Sequence, residues 1–273
     1  MPSAEPHQVP HLHYRYAELG EPARVDAGVL ADECALAISY NGLNQAVMMV
    51  TPAALEDFVV GFSLSNGIID AVDGILDLHL QGEGAARQAQ VEIVGRAFWG
   101  LKRQRRQLPG TGSCGLCGVE ALEQALPVLA PLPGAPLPTP AHLHDLRARI
   151  AEAQTLARTS GALHAALFLD GTGEVRLCRE DIGRHNALDK LIGALARNAI
   201  DPRGGVVVLT SRCSLELIQK AVRAGLPTLV TLSAPTALTV QWARRHRLNL
   251  IHLPHHSAPR VYSPAPDEHE CPA

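Results

Sequence analysis

Two apolar-rich runs, "CALAISY" and "LNQAVMMV", lie on either side of Asn41-Gly42. That pattern predicts two strands joined by a tight hairpin turn. Thr51-Pro52 then predicts a helix start, with a hydroxyl at the N-cap and proline in the first turn. The helix should carry "AALEDFVVGFSLSNG" and stop near Asn66-Gly67. "ILDLHL" places Leu76, Leu78 and Leu80 on one face and pairs with "QVEIV" across a Gly-rich turn. The first half therefore reads as β-rich with one helix.

The pattern changes after residue 126. Residues 127–140 hold six prolines and read as a linker. Thr139-Pro140 predicts another helix start, with Leu143, Leu146, Ile150, Ala153 and Leu156 on one stripe. "ALHAALFL-DGTG-EVRLC" reads as a hairpin. Helices over 186–198, 214–224 and 236–246 then alternate with strands over 206–210, 228–232 and 250–253. Such alternation predicts α/β layering around a largely parallel sheet, in an α+β whole. The expected divisions are a loose arm over 1–25, a β-rich domain over 26–126, the linker over 127–140, an α/β domain over 141–262 and a tail over 263–273.

Composition narrows the classes. A chain of 273 residues is long enough for two modest cores. Its formal net charge is −3, which gives no overall pull toward nucleic acid. No apolar run reaches membrane-span length, and the first residues lack a signal-peptide core. The expectation is a cytoplasmic protein with no membrane or nucleic-acid partner. Its six cysteines should then be reduced rather than paired. Cys34, Cys178 and Cys213 lie in or beside apolar segments, where a buried free thiol is the ordinary outcome. Only Cys114 and Cys117, in "GSCGLCG", have the spacing of reactive or ligating thiols.

The predicted topology gathers polar loops on one edge. "REDIGRHN", "SRCS" and "SAPT" each follow a strand, and ligands of open α/β sheets bind beyond the carboxyl ends of the strands. The last two loops begin helices, whose free N–H groups favour an anion. "TSG" at 159–161 begins the first hairpin strand and so joins that edge by antiparallel pairing. Thr159, His164, Glu180, Asp181, Arg184, His185, Asn186, Ser211 and Arg212 are thus expected to line one cleft, with Ser233 on the neighbouring loop. Plainer roles stand beside this one. The serines and Thr236 also suit helix caps, His164 suits a core position, and Asp181 with Arg184 suits a surface pair.

The paired cysteines leave several chemistries open. Zinc needs four ligands, and no second CxxC is present; His142 and His144 lie beyond the linker. A thioredoxin-type site would follow an apolar strand, whereas "KRQRRQLPGTG" comes first here. A Gly-rich loop beside Lys102, Arg103, Arg105 and Arg106 favours thiolate, so nucleophilic sulfur chemistry stands beside a zinc site or a structural loop. The basic run itself fits either an anionic partner or a solvated loop.

Several stretches together resemble the FdhD/NarQ family of formate dehydrogenase accessory proteins. They are "NGLNQAVMMVTPAALEDFVVGF", "GSCGLCG", "RTSGALHAALF", "EDIGRHNALDKLIG", "LTSRCSLELIQKAVRAGLPTLVTLSAPTALTV" and "VY" at 261–262, in order over about 32–262. The resemblance implies a sulfurtransferase that takes persulfide sulfur from a cysteine desulfurase. It implies delivery to the molybdenum bis(molybdopterin guanine dinucleotide) of formate dehydrogenase, with a guanine nucleotide as a partial mimic and no zinc. It implies Cys114 as carrier, Cys117 as its partner thiol, and a second domain similar to the cytidine deaminase fold. The family's cofactor-binding stretch maps onto Leu253, Pro254, His255, His256, Ser257 and Ala258, where this chain departs by carrying histidines. A cofactor with two guanine ends suits a homodimer. Rival readings are a cofactor-binding chaperone that moves no sulfur and a zinc-binding interaction module.

Overall fold

Two apolar layers, each a sheet with a helix laid on it, meet along a pair of helices. The computed structural model describes residues 12–19, 21–106 and 126–266. In the first half, β3 (Cys34–Tyr40) and β4 (Leu43–Val50) form the expected hairpin, with Asn41 and Gly42 at φ 47° and 77°. With β5 (Ile75–Gln81) and β6 (Ala86–Ile93) they make a four-stranded sheet in the order β4-β3-β6-β5. Alternate residues Leu36, Ile38, Tyr40, Val91 and Ile93 face inward against Phe58 and Val59 of α1 (Leu55–Ser65). Leu76 departs from its expected stripe. An irregularity between Ile75 and Asp77 turns it outward, and it is 66% exposed.

Other local expectations are corrected here. Thr51 does not cap α1. The helix starts at Leu55 after Ala54, and the Thr51 hydroxyl instead accepts from Ile182 N–H at 3.1 Å. A second helix, α2 (Gly95–Arg106), takes in the basic run. Lys102 lies over the rings of Phe98 and Trp99, so apolar stems hold what its charges suggested was a loop. Of the arm expected over 1–25, the described residues are strand instead: β1 (Leu12–Glu18) and β2 (Glu21–Leu30) pair as an antiparallel ribbon.

The second half is a six-stranded mixed sheet in the order β12-β11-β10-β9-β7-β8. β7 (His164–Leu169) and β8 (Val175–Asp181) form a hairpin, and β7 runs antiparallel to its other neighbour, β9 (Val206–Leu209). β9, β10 (Thr228–Thr231) and β11 (Asn249–His252) run parallel. Their four-residue runs "VVVL", "TLVT" and "NLIH" are buried throughout, as strands covered on both faces require. Helices α5 (Arg184–Arg197), α6 (Leu215–Arg223) and α7 (Ala237–Arg245) cover one face. Leu143 and α3 (Leu146–Ala153) cover the other, with Leu146 and Ile150 as the expected stripe. A left-handed Asp145 separates α3 from the short turn over Pro140–Leu143, so the single predicted helix is two pieces. "VY" at 261–262 belongs to β12 (Arg260–Ser263), an antiparallel edge strand beside β11. The Pro-rich stretch has no regular element but is pinned: Leu132 N–H donates to His246 O, and Asn249 donates to the carbonyls of Ala135 and Pro136.

Helices α1 and α5 join the halves. A β-carbon on Gly61 would lie 1.7 Å from Asp189 O, and one on Gly193 would lie 1.8 Å from Asp57 O. Only glycine lets the two backbones approach this closely. Asp57 accepts from Arg179 Nε at 2.7 Å and from Arg197 Nη1 at 2.6 Å beside the crossing. Among the described residues, no helix is long and apolar enough to cross a membrane.

Candidate functional site at the carboxyl edge of the sheet

Because β9, β10 and β11 are parallel, their carboxyl ends share one edge. Three amides hold these ends in line: Thr210 N–H donates to Ala165 O, Leu232 N–H to Leu209 O and Leu253 N–H to Thr231 O. β7 runs the other way, so its first residue, His164, stands at the same edge opposite Asp181. Ala165 N–H donates to Thr210 Oγ1 at 2.8 Å, which fixes the start of β7 against the end of β9. The edge therefore presents, in spatial order, Arg184 and His185, then His164, then Ser211 and Arg212, then Ser233, then 253–258. From β7 to β11 it spans three strand spacings, about 14 Å.

The "EDIGRHN" segment divides its labour. Its acid and amide side chains turn inward. Asp181 is fully buried and accepts from Thr51 N–H at 2.9 Å, Gly183 N–H at 2.8 Å and Asn186 Nδ2 at 2.9 Å. Its fourth partner is Lys190, with Nζ 2.6 Å from Oδ2. Asn186 also donates to Met49 O, and Lys190 to the carbonyls of Thr51 and Glu180. The Glu180 carboxylate receives the N–H groups of Leu156 and Ala157. Asp181 is thus no surface partner of Arg184. With Asn186 it ties the second half to the first and holds the backbone from which Arg184 and His185 project.

Arg184, His185 and His164 are half-buried at the edge, and Arg212 is exposed. The Arg184 Nε is buried with no hydrogen-bond partner. Among the described residues no carboxylate pairs with Arg184 or Arg212. His185 Nε2 lies 2.7 Å from Glu216 Oε2 and 3.1 Å from Ser214 Oγ. Burial holds the His185 imidazole below the usual histidine range despite that carboxylate. Burial first, then Arg184, does the same for His164. A row of unpaired guanidiniums beside neutral imidazoles, at the starts of α5, α6 and α7, is suited to an extended anion. Ser214 does not cap α6 but turns to His185 and Glu216, whereas Thr236 accepts from Thr239 N–H in a capping box.

Glu180, Asp181 and Asn186 are thus turned away from the predicted cleft, Ser211 is buried at the edge, and Thr159 is also placed otherwise. Residues Ala157–Ser160 form a helical turn, α4, rather than the start of a strand, and Thr159 Oγ1 donates to Leu156 O. Glu216 was not foreseen; its signal is its position two residues after Ser214 in "SRCSLE". A separate cavity of about 470 Å³ lies at the far ends of α1, α5 and α6, lined by Leu64, Ile192, Leu195 and Arg223 among others. It touches none of these edge residues.

Comparison with known proteins matches this architecture. The profile of the FdhD/NarQ family covers residues 31–268. A "Sulfur carrier protein FdhD" of Bordetella petrii is 43% identical over 237 residues, 86% of this chain and 84% of that one. One from Xanthomonas euvesicatoria is 44% identical over 227 residues, 82% of this chain and 79% of that one. The chain belongs to the FdhD/NarQ family. A crystal structure described as a formate dehydrogenase accessory protein from Desulfotalea psychrophila shares the fold, at TM-score 0.70 and 22% identity, covering 92% of this chain and 95% of that one.

In this FdhD/NarQ chain the cysteines sort by environment. Cys34 and Cys213 are buried and Cys178 is half-buried. Burial pushes the Cys178 and Cys213 thiols up to about 12, and raises that of Cys34. None of the three is suited to thiolate chemistry near neutral pH. Cys114 and Cys117 lie outside the described residues, in the segment that follows α2. Among the described residues no cluster of three or more histidines, cysteines or carboxylates is grouped to hold a metal. Both ring nitrogens of His142 are engaged, Nδ1 with Thr139 and Nε2 with Gly171 O.

Proposed function

We propose that this protein is a sulfur carrier for formate dehydrogenase, acting as a sulfurtransferase toward the molybdenum bis(molybdopterin guanine dinucleotide) destined for that enzyme. Relatives 41–44% identical over about four-fifths or more of the chain bear the name sulfur carrier, and that likeness is the main support. The cationic edge is the second support. The cofactor enters this reading as substrate. Its phosphates suit Arg184, Arg212 and the starts of α6 and α7, and its guanine suits 253–258. The unpartnered Arg184 Nε fits such a ligand, since buried donors are ordinarily satisfied.

The sulfur step uses thiols of this chain. The Cys114 thiolate attacks the outer sulfur of a desulfurase persulfide, the donor S–S bond breaks, and the donor leaves as thiolate. Cys114 then holds the transferred sulfur as its own persulfide, with no net redox change. Cys117 is the partner thiol for release. The neutral imidazoles of His164 and His185 line the receiving edge, and Glu216 fixes which His185 nitrogen bears the proton. Further parts of the reading are a cytoplasmic setting that keeps the thiols reduced, a homodimer matched to a ligand with two guanine ends, and a cytidine-deaminase-like second domain. The mixed sheet with helices on both faces supports the last of these.

Incubation with a cysteine desulfurase and cysteine, followed by peptide mass mapping, tests the carrier role. One added sulfur atom should appear on the peptide holding Cys114 and Cys117. Sulfur on none of the cysteines, or spread evenly over all six, would contradict it.

A further inference from the structure

The cavity of about 470 Å³ at the far ends of α1, α5 and α6 opens between the two halves, away from the carboxyl edge of the sheet. Leu64, Ile69 and Val72 line it from the first half, and Ile192, Leu195 and Ile200 from the second. Small-molecule sites commonly fall in the range of about 300–1,000 Å³, are mostly apolar, and carry a few polar groups that fix orientation. Leu64 packs against the cores of both halves, so the wall is built by the same closure that buries the seam. The close approach of α1 and α5 at Gly61 and Gly193 fixes the two walls relative to each other.

One cation joins this apolar lining. Arg223 ends α6 and stands at the rim of the cavity, where its Nη1 donates a long bond of 3.3 Å to Ser65 O. Among the described residues no carboxylate pairs with it. Asp70, the acid on the same wall, is engaged with Arg96 at 3.3 Å instead. Burial pushes the Arg223 guanidinium below its ordinary range: the protein around it withdraws water without supplying an opposite charge. Desolvated charges are ordinarily paired. A cation at a helix C-terminus also gains from the macrodipole, yet that field supplies no hydrogen-bond acceptor.

We propose that this cavity binds an amphipathic monocarboxylate, with an unbranched hydrocarbon chain in the apolar cleft and the carboxylate paired with Arg223. The charge of the ligand follows from the unpaired guanidinium, whose planar fork can donate to both carboxylate oxygens at once. The hydrocarbon follows from the lining. Apart from Arg223 and the engaged Asp70, the lining residues carry no polar side chain. A peptide would bring amides that need partners, which such walls do not offer. The inference is independent of the sulfur chemistry, since no residue of the carboxyl edge lines the cavity. A ligand that touches both halves stabilises their contact by mass action.

Calorimetry and thermal unfolding of the full chain decide it, with decanoate, decanol and acetate as probes, each below its aggregation concentration. Decanoate should bind once per chain and raise the melting temperature. Decanol and acetate should each bind about tenfold more weakly or worse, the first for want of the charge and the second for want of the chain. Arg223→Gln should weaken decanoate binding about tenfold or more and leave decanol binding unchanged. Arg260→Gln removes an exposed charge on β12 and should leave decanoate binding unchanged. Ala196→Phe fills part of the cavity and should block decanoate and decanol alike. If Ala196→Phe does not fold, Arg223→Gln carries the test, since its side chain is exposed. Wild type that fails to bind decanoate, or takes up many molecules without saturation, overturns the site. An Arg223→Gln protein that binds decanoate as tightly as Arg260→Gln also overturns it, as does decanol or acetate that binds as tightly as decanoate.

Discussion

Lys190 Nζ lies 2.6 Å from Asp181 Oδ2, and neither side chain has any exposure to solvent. This ion pair belongs to the segment whose sequence most suggests a binding loop, yet it sits inside the seam between the two halves. Burial pushes the Lys190 amine below its ordinary range, and Asp181 opposes that shift. Removing one partner leaves the other charged and buried. Lys190→Met should therefore destabilise the protein by about 3–5 kcal/mol, read as a shift in urea midpoint. The double change Lys190→Met with Asp181→Leu should recover part of that loss. Equal stability of wild type and Lys190→Met would show that the pair holds nothing together.

The glycine crossing gives a second expectation. Gly193→Ala puts a β-carbon against Asp57 O, and Gly61→Ala puts one against Asp189 O. The contacts are with backbone, so α1 and α5 must move apart. Each change should cost about 1–3 kcal/mol or more. The double mutant should lose less than the sum, because one separation of the helices accommodates both. Thermal unfolding of the three proteins tests this; strictly additive losses would mean that the two sites relax independently.

Three histidines set a pH dependence. His164, His185 and His252 all have imidazoles held below their usual range in the folded protein, in each case by burial first. In the unfolded chain they titrate near about 6.5. Below that pH the unfolded state binds more protons, so folding stability falls as pH falls. The stability these groups supply is complete above about pH 6.5 and is lost downward through their folded values. Urea unfolding from about pH 8 to 5.5 should show the decline, ahead of the carboxylates, which titrate lower. His252→Gln should make the slope shallower. A stability that is flat or rising toward pH 5.5 would count against these environments.

The cysteines should separate cleanly in reactivity. With thiols pushed up to about 12, Cys178 and Cys213 should resist iodoacetamide at pH 8 in the folded protein and react after unfolding. Cys114 and Cys117 should label first. Cys114→Ala should keep its unfolding midpoint within about 0.5 kcal/mol of wild type and lose client activation. Rapid native labelling of Cys213, detected by mass spectrometry, would contradict its buried setting.

The period of the hydrophobic pattern determined most of the elements. The Asn41-Gly42 hairpin, the β7–β8 hairpin and the strand–helix alternation from 184 to 252 are local matters: turn chemistry, alternation at two and stripes at 3.6 residues. The edge as a place was legible for the same reason, since parallel strands must end together. Tertiary structure decided what sequence neighbours cannot. Asp181 and Asn186 turned inward because Thr51 and Met49, more than a hundred residues earlier, offer backbone partners that water would otherwise supply. Thr51 left its helix cap for the same seam. α2 formed through a basic run because Leu101 had a core to enter. The Arg147–Leu253 contact had no trace in sequence, because nothing in either local pattern says that α3 crosses the end of β11. Period and turn residues are written along the chain. Which polar group is desolvated, and by whom it is then satisfied, depends on distances that exist only after the two layers close on each other.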